Sequence, residues 1–372
     1  MMKLTTPAIL KETPDRARRT PERGARRLPS SLVLALLTAL LVCAMLVAVS
    51  FGSTAIPLSV IARIVLNGTG LFHFTHHWAV SDEVIVWQVR MPIVVGAALV
   101  GAGLSVAGVL FQGLLRNPLA DPYLIGTSSG ASLGAAIAFI LPLDTIYGVF
   151  FPLTPVLAFV GAMLTVLFVY AIARVDGRTP VVTLLLSGVV VNSVLIACQT
   201  LVLILSPHAA FTIQSLFNWL TGGVEIANWP PLAIVGPIIV VGIVLALGLA
   251  GILDVFALGE EGAAHLGIHV ERRKVLVVLL ASLLTAAAVS ISGLIGFVGL
   301  VVPHVMRLLL GPRHRLLIPS AALGGATFLT LADLLARVVI APTVLPVGVF
   351  TALIGAPFFL FLLRKSKREY QW

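Results

Sequence analysis

Charged residues are scarce in this chain of 372 residues: 10% are Asp, Glu, Lys or Arg, and 59% are hydrophobic. A typical soluble domain carries about 25% charged residues, so the composition excludes an ordinary soluble globular protein. Cysteine is also rare, since only Cys43 and Cys198 occur, and both fall inside apolar runs. A framework of disulfide bonds is therefore excluded.

Several motifs of enzymes and metal proteins are missing as well. No GxxxxGK[ST] sequence occurs, so the chain does not bind ATP through a P-loop. No Ser/His/Asp or Cys/His arrangement has a supporting context, so we predict no catalytic residues, no enzyme activity and no cofactor bound by this chain. His73, His76 and His77 have the spacing of metal ligands but lack a companion Cys, Asp or Glu, which predicts a solvated loop rather than a metal site.

The sequence contains many long apolar runs. Repeated runs of about 20 residues predict an all-α polytopic membrane protein, and they lack the alternation of membrane β-strands. The first run, Ser31 to Phe51, is too long for a signal-peptide core, and we interpret it as the first span. Nine further spans are predicted at 92–112, 124–141, 154–174, 180–205, 231–251, 274–294, 295–310, 316–336 and 346–363.

The basic residues predict how these ten spans are oriented. With both termini in the cytoplasm, all of the 24 Lys and Arg except Arg63, Arg90 and Arg337 fall in cytoplasmic segments or at the inner ends of spans. This asymmetry follows the positive-inside rule. It also explains the net charge of +9 without a nucleic-acid partner. We expect residues 1–30 and 365–372 to be basic cytoplasmic tails and 31–364 to form the transmembrane domain.

Three connections between spans contain short amphipathic or helix-forming segments. PLSVIARIVL within 52–91 and TIQSLFNWL within 206–230 are predicted to lie on the outer surface. The inner connection from Asp254 to Lys274 contains GEEGAAHLGI, with acidic residues to begin a short helix and Gly267 to end it. If transport is driven by ATP, this connection is the best docking surface for a separate ATPase; the alternative is a plain linker.

The stretch SISGLIGFVGLVVPHVMR at 290–307 is apolar but contains Gly293, Gly296, Gly299 and Pro303. Glycines on one helical stripe let another backbone approach closely in a membrane. We therefore expect a packed, partly broken helix at a functional interface, with an ordinary span that packs through small residues as the alternative.

Acidic residues are almost absent from the spans. Asp333 is the only carboxylate well inside one, and its spacing from Arg337 predicts a local ion pair. Such scarcity argues against an ion-coupled secondary carrier. The inner turn RNPLADPYLIG at 116–126 contains two prolines, so it is either a stiff element at the mouth of a pore or a plain reverse turn.

Six segments together resemble one known family, the permease subunits of type II ABC importers, which carry iron-siderophores, haem and vitamin B12. The resemblance covers nearly the whole chain after residue 30. Its motifs are QVRMP at 88–92, GAGLSVAGVLFQGLLRNPLADPYLIGTSSGA at 101–131, LGEEGAAHLGI at 258–268, SGLIGFVGLVVPHVMRLLLG at 292–311, LADLLAR at 331–337 and LPVGVFTALIGAPFFLFLL at 345–363.

The resemblance implies a ten-helix subunit in the bacterial inner membrane. It implies a homodimer with the pathway along its two-fold axis. It also implies two cytoplasmic ATPase subunits that hold ATP and Mg, and a soluble binding protein outside. Arg90 and Arg337 match outer arginines that pair with glutamates of the binding protein. Ile93 stands where some relatives have a further arginine, so the contact uses fewer arginines or includes Arg63.

The same resemblance implies roles at the inner face. Asn117 and Leu119 match one part of a cytoplasmic gate, and Val181 and Val182 lie at the other part, which is more apolar than in some relatives. The residues that match the ATPase-coupling helices are Gly259, Glu260, Glu261, Ala264, Leu266 and Gly267.

The sequence therefore predicts the permease subunit of an ATP-driven importer for a ferric siderophore or haem, working by alternating access. A cobalamin importer of the same family is the nearest alternative. An ion-coupled carrier and a membrane scaffold or receptor are the alternatives from other classes.

Overall fold

The computed structural model describes residues 29–52, 56–68, 74–75, 78–141, 153–223 and 229–369. The three histidines of the HxxHH motif lie outside these ranges, as does nearly all of the amino-terminal tail. The described residues form helices and one isolated β-bridge. The helices are α1 (Ser30–Ser50), α2 (Leu58–Gly68), α3 (Val80–Leu115), α4 (Thr127–Ile140), α5 (Leu153–Ala173), α6 (Val181–Ile204), α7 (Ala209–Leu220), α8 (Trp229–Gly248), α9 (Ala250–Phe256), α10 (Glu260–His265), α11 (Val270–Ser292), α12 (Val298–Leu310), α13 (His314–Val338) and α14 (Val347–Glu369).

Each of the ten predicted spans corresponds to a helix, and the structure confirms an all-helical, multi-pass membrane protein. Seven of the described helices are long and apolar enough to cross a membrane, rather than ten. The other three are α4, α12 and α14, whose apolar segments are shorter. The two segments predicted to be amphipathic form the helices α2 and α7, and the segment GEEGAAHLGI contains the helix α10.

Helix α3 lies at the centre of the bundle and packs against α13, α11, α12 and α8. Most of its residues and most of those of α11 are buried, whereas few residues of α1 and α6 are buried. The exposed residues of α6 are largely Val, Leu and Ile. Central helices therefore form the core, and peripheral ones present apolar faces outward, as a lipid environment allows.

Glycines bring the central helices into backbone contact. A Cβ built on Gly108 of α3 would overlap the carbonyl oxygen of Gly299 in α12. A Cβ built on Gly101 would overlap the carbonyl oxygen of Gly325 in α13. Small residues of this kind let transmembrane helices approach closely, so that dispersion attraction between backbones stabilises the bundle.

The glycine-rich stretch at 290–307 is broken at the junction of the two spans predicted at 274–294 and 295–310, and not at its proline. Helix α11 ends at Ser292 and α12 begins at Val298, whereas Pro303 lies buried inside α12 without ending it. Gly293, at φ +63°, adopts a left-handed conformation that favours glycine. The expectation of three glycines on one helical stripe is wrong, because Gly293 and Gly296 precede the helix that contains Gly299.

Candidate functional site

Helix α10 is the short helix of the connection from Asp254 to Lys274, and specific residues account for both of its ends. Gly259 enters it at φ +96° and Gly267 leaves it at φ +79°. The amide of Gly267 donates to the carbonyl of Ala264 (2.9 Å), and the amide of Ile268 donates to that of Ala263 (3.2 Å). This pair of bonds is a Schellman motif, which requires a left-handed residue that is usually glycine. Gly267, which the sequence predicted to end this helix, therefore ends it in the structure.

The outward face of this segment combines acidic and apolar side chains. Glu261 and Ala264 are exposed, while Ala263 is buried beneath the helix. Leu258 and Leu266 flank the helix and are 67% and 62% exposed. A cavity of about 610 Å³ lies beside it, between α10 and the start of α11. Exposed leucines on a connection between spans form a surface suited to a protein partner.

A buried lysine joins α10 to two neighbouring segments. The Nζ of Lys274, in the first turns of α11, lies 3.0 Å from Glu260 Oε1 and 3.0 Å from Glu271 Oε1. It also donates to the carbonyl of Thr179 (2.8 Å). The second carboxylate oxygen of Glu271 accepts from the amide of Thr179 (3.0 Å). The start of α10, the start of α11 and the segment before α6 therefore meet at one ammonium group.

The segment that contains Thr179 is itself held in a tight hairpin. Val175 and Arg178 exchange backbone hydrogen bonds of 2.8 and 2.9 Å around Asp176 and Gly177. Both central residues have positive φ, +50° and +78°. Asp-Gly is the pair that favours this two-residue turn. Helix α6 thus begins directly after a short, hydrogen-bonded turn.

The two predicted parts of the inner gate occupy neighbouring elements. Asn117 accepts a hydrogen bond from the amide of Leu119 (2.9 Å) in the turn between α3 and α4. Val181 and Val182 form the first turn of α6, where Val182 is exposed. The two elements pack together further along, where a Cβ built on Gly188 would lie 2.7 Å from the carbonyl oxygen of Leu124.

The turn at 116–126 is hydrogen-bonded to the glycine-rich break between α11 and α12. Tyr123 donates its hydroxyl to the carbonyl of Ile295 (3.0 Å), and its amide donates to Asp121 (2.8 Å). Burial raises the pKa of the Asp121 carboxyl above its ordinary value, and the Tyr123 amide lowers this pKa only in part. Burial also raises the pKa of the Tyr123 hydroxyl, so at neutral pH this group is a hydrogen-bond donor.

At the opposite end of the bundle, two arginines bind the last turn of α1. Arg90 donates to the carbonyls of Val49 (2.7 Å) and Ser50 (3.1 Å) and is only 4% exposed. Arg337 donates to the carbonyl of Ala48 (3.3 Å) and pairs with Asp333 (2.8 Å), which confirms the predicted ion pair. Cations stabilise the carboxyl ends of helices, where carbonyls lack partners.

Sequence reasoning missed two features of these sites. A π-helical stretch, Ile85–Arg90, lies within α3 and ends on the arginine that reaches α1. The contact of Lys274 with Glu260 was missed too; only its short-range pair with Glu271 has helical spacing that the sequence could reveal. Within the described residues, no group of three or more His, Cys, Asp or Glu could hold a metal ion.

Residues 39–365 match the FecCD transport family, and the chain belongs to that family. The family comprises permease subunits of ABC importers.

Relatives and a solved structure agree with this assignment. The chain is 45% identical over 284 residues to a cobalamin import system permease protein of Halobacterium salinarum, covering 76% of this chain and 74% of the relative. It is 37% identical over 304 residues to a hemin transport system permease protein of Yersinia pestis, covering 78% and 88%. A metal-chelate type ABC transporter, solved in an inward-facing conformation, superposes with a TM-score of 0.73 at 30% identity, covering 91% of this chain and all of that one.

Proposed function

We propose that this chain is the transmembrane permease subunit of an ATP-driven importer that moves a metal chelate across a bacterial inner membrane. The observation that carries the proposal is helix α10, which presents Glu261 between two exposed leucines on a connection between spans. The cargo is a ferric siderophore or haem, with cobalamin as the alternative. Relatives described as cobalamin and hemin permeases, and a metal-chelate transporter of the same fold, support this class of cargo.

The assembly that follows is a homodimer with two cytoplasmic ATPase subunits and a soluble binding protein outside. ATP and Mg bind the ATPase chains, and this chain binds no cofactor. Ten crossings leave both termini in the cytoplasm, with α4, α12 and α14 as the shorter apolar helices. Most of α4 and the first half of α12 are buried by neighbouring helices, whereas α14 exposes apolar residues such as Leu353 and Leu360. The exposed apolar residues of α6 support a face for the second copy or for lipid.

The mechanism is alternating access driven from the cytoplasmic side. Closure of the ATPase dimer on ATP displaces α10, which is held by Gly259 and Glu260 at its start and by Leu266 and Gly267 at its end. The displacement opens or closes the gate at Asn117, Leu119, Val181 and Val182. Specificity lies with the binding protein, so the pathway through this chain needs no tight site for the chelate.

The function is tested by uptake into liposomes loaded with ATP. They contain this chain with its ATPase, and the binding protein is added outside with 55Fe-loaded siderophore, haem or cobalamin in turn. We expect uptake of one chelate that requires both ATP and the binding protein. Uptake that follows a proton or sodium gradient without these partners would overturn the proposal in favour of an ion-coupled carrier.

Changes at Glu261 and Gly267 should uncouple ATP hydrolysis from uptake. Glu261→Arg reverses the charge of the exposed acidic face, and Gly267→Val forces a β-branched residue into a left-handed conformation. We expect uptake per ATP to fall about ten-fold while membrane insertion stays normal. Gly251→Val is the matched control, because this glycine has no neighbour within 4 Å of a built Cβ. Normal coupling in both variants would contradict the role of α10.

The outer face that carries Arg63, Arg90 and Arg337 is the proposed docking surface for the binding protein. Arg63 is exposed, whereas the other two also hold the end of α1. We expect Arg63→Glu to weaken docking, more strongly at low salt, because charges near the surface are screened at high salt. Arg90→Glu and Arg337→Glu should weaken docking through the end of α1, which their largely buried side chains hold. The measurement is the docking affinity at two salt concentrations, with the unfolding temperature of each variant. Unchanged affinity in all three variants would rule out this surface.

A further inference from the structure

We propose that Lys274 is a positioning residue that transmits the movement of α10 to the first turn of α6. The inference rests on the proposed function, in which α10 receives the movement of the ATPase and α6 carries part of the gate. It adds a residue outside the motifs that identify the family and outside the predicted gate.

The contacts of Lys274 form a continuous connection between the two elements. Its ammonium group binds Glu260, the first residue of α10, and also the carbonyl of Thr179. Thr179 is followed by Pro180 and then by Val181, the first residue of α6. Only Pro180 therefore lies between the residue that this ammonium group contacts and the proposed gate.

Burial makes this connection stiff. Lys274 is 1% exposed, so its side chain cannot swing into water when α10 moves. An ammonium group at such a site requires its partners, because a buried charge that loses its partner is strongly destabilised. A displacement of Glu260 must therefore be followed by Lys274 or separate a buried ion pair.

The receiving side of the connection is also constrained. Glu271 accepts from the Thr179 amide while Lys274 donates to the Thr179 carbonyl, so both backbone groups of this residue are held. The hairpin closed by Val175 and Arg178 precedes it, and Pro180 follows it. Movement at Thr179 is thus passed on to α6 and is not absorbed by a flexible loop.

The same end of α10 also lies close to the other part of the gate. A Cβ built on Gly259 would lie 3.3 Å from Nη1 of Arg116. Arg116 ends α3 in a left-handed conformation and is followed by Asn117. The start of α10 consequently lies close to Arg116, the residue before Asn117, and is joined through Lys274 to the segment before Val181.

The alternative is that Lys274 only stabilises the fold, since it also pairs with Glu271 at the start of α11. A residue that only stabilises the fold would lower uptake and ATP hydrolysis together, through loss of intact protein. A residue that transmits movement lowers the number of chelate molecules imported per ATP. The ratio of uptake to hydrolysis in the reconstituted importer therefore distinguishes the two roles.

The first test compares Lys274→Met with Arg273→Met in the complete importer. Both variants remove one positive charge, but Arg273 is exposed. We expect Lys274→Met to lower uptake per ATP about ten-fold, within the range of ordinary coupling free energies, and Arg273→Met to leave it unchanged. The cargo is the 55Fe-siderophore, haem or cobalamin that the unmodified importer takes up. Equal ratios in the two variants would overturn the inference.

A second variant keeps the test valid if Lys274→Met does not fold. Glu260→Gln keeps the size of the side chain and leaves Lys274 paired with Glu271 and Thr179, so only the connection to α10 is weakened. We expect the same direction of effect, with normal amounts of folded protein. We also expect Glu260→Gln combined with Lys274→Met to be no worse than Lys274→Met alone, because both act on one connection. If the double variant instead lowers uptake per ATP by the product of the two single effects, the two residues do not act on one connection and the inference is contradicted.

A readout without transport separates this inference from the proposed function. In the purified chain, Lys274→Met should speed hydrogen exchange at the Thr179 amide and in the first turn of α6, and Arg273→Met should not. If the unmodified importer shows no ATP-dependent uptake, the proposed function fails whatever the exchange result. If it imports normally and Lys274→Met changes neither exchange nor the uptake ratio, only the role of Lys274 is refuted.

Discussion

Replacing Gly108 with alanine is expected to prevent most of the protein from reaching its folded state. The added methyl group would overlap the backbone carbonyl of Gly299, so α3 and α12 would have to move apart. Overpacking a core costs typically about 1–3 kcal/mol. Here we expect the upper end of that range or more, because the opposing atom belongs to a backbone and cannot change rotamer. The yield of monodisperse protein in detergent and its unfolding temperature measure the effect.

Gly103→Ala is the matched control on the same helix. A Cβ there meets the side chain of Ile239 at 3.4 Å and backbone only at 3.6 Å, which is ordinary van der Waals contact. We expect this variant to fold and to unfold near the temperature of the unmodified chain. If both alanine variants behave alike, close approach of α3 and α12 is not what holds the centre of the bundle.

Removing the carboxylate of Asp333 is expected to destabilise the outer end of the bundle by about 3–5 kcal/mol, the usual effect of breaking a buried ion pair. Asp333 and Arg337 are both largely buried, and the arginine lies near a second cation, Arg90. Asp333→Asn keeps the shape of the side chain but leaves the guanidinium without its counter-charge. The unfolding temperature of the purified chain should fall sharply.

The double variant Asp333→Leu with Arg337→Met tests the cause. Apolar residues of similar volume in place of a buried ion pair are often neutral or stabilising, so we expect most of the lost stability to return. Binding-protein affinity of this folded double variant then measures the contribution of Arg337 to docking. A double variant that is as unstable as the sum of its single changes would show that the two side chains do not act as a pair.

Sequence patterns were reliable where the cause of a structure lies within a few residues. Apolar runs predicted the helices because each span must be apolar along its own length. Gly267 and the acidic pair predicted the ends of α10, and four-residue spacing predicted the pair of Asp333 with Arg337. The family motifs likewise led to the class of transporter that the comparisons then supported.

The same reasoning failed where polar groups are satisfied by distant partners. We expected the second span to begin at residue 92. Helix α3 in fact begins at Val80. A hydropathy pattern treats Arg90 as a charge without a partner. In the fold, its guanidinium donates to the carbonyls of Val49 and Ser50, so the helix can include it.

By itself the sequence determined the class of protein, its helices and the local signals that begin and end them, since these depend on neighbouring residues in the chain. Only the tertiary structure decided which glycines meet and which charges pair. Gly108 and Gly299, or Lys274 and Glu260, lie too far apart in the chain for any helical spacing to join them. Their contacts exist because the packing of whole helices brings distant segments of the chain together, leaves little space between backbones and surrounds a buried charge with partners.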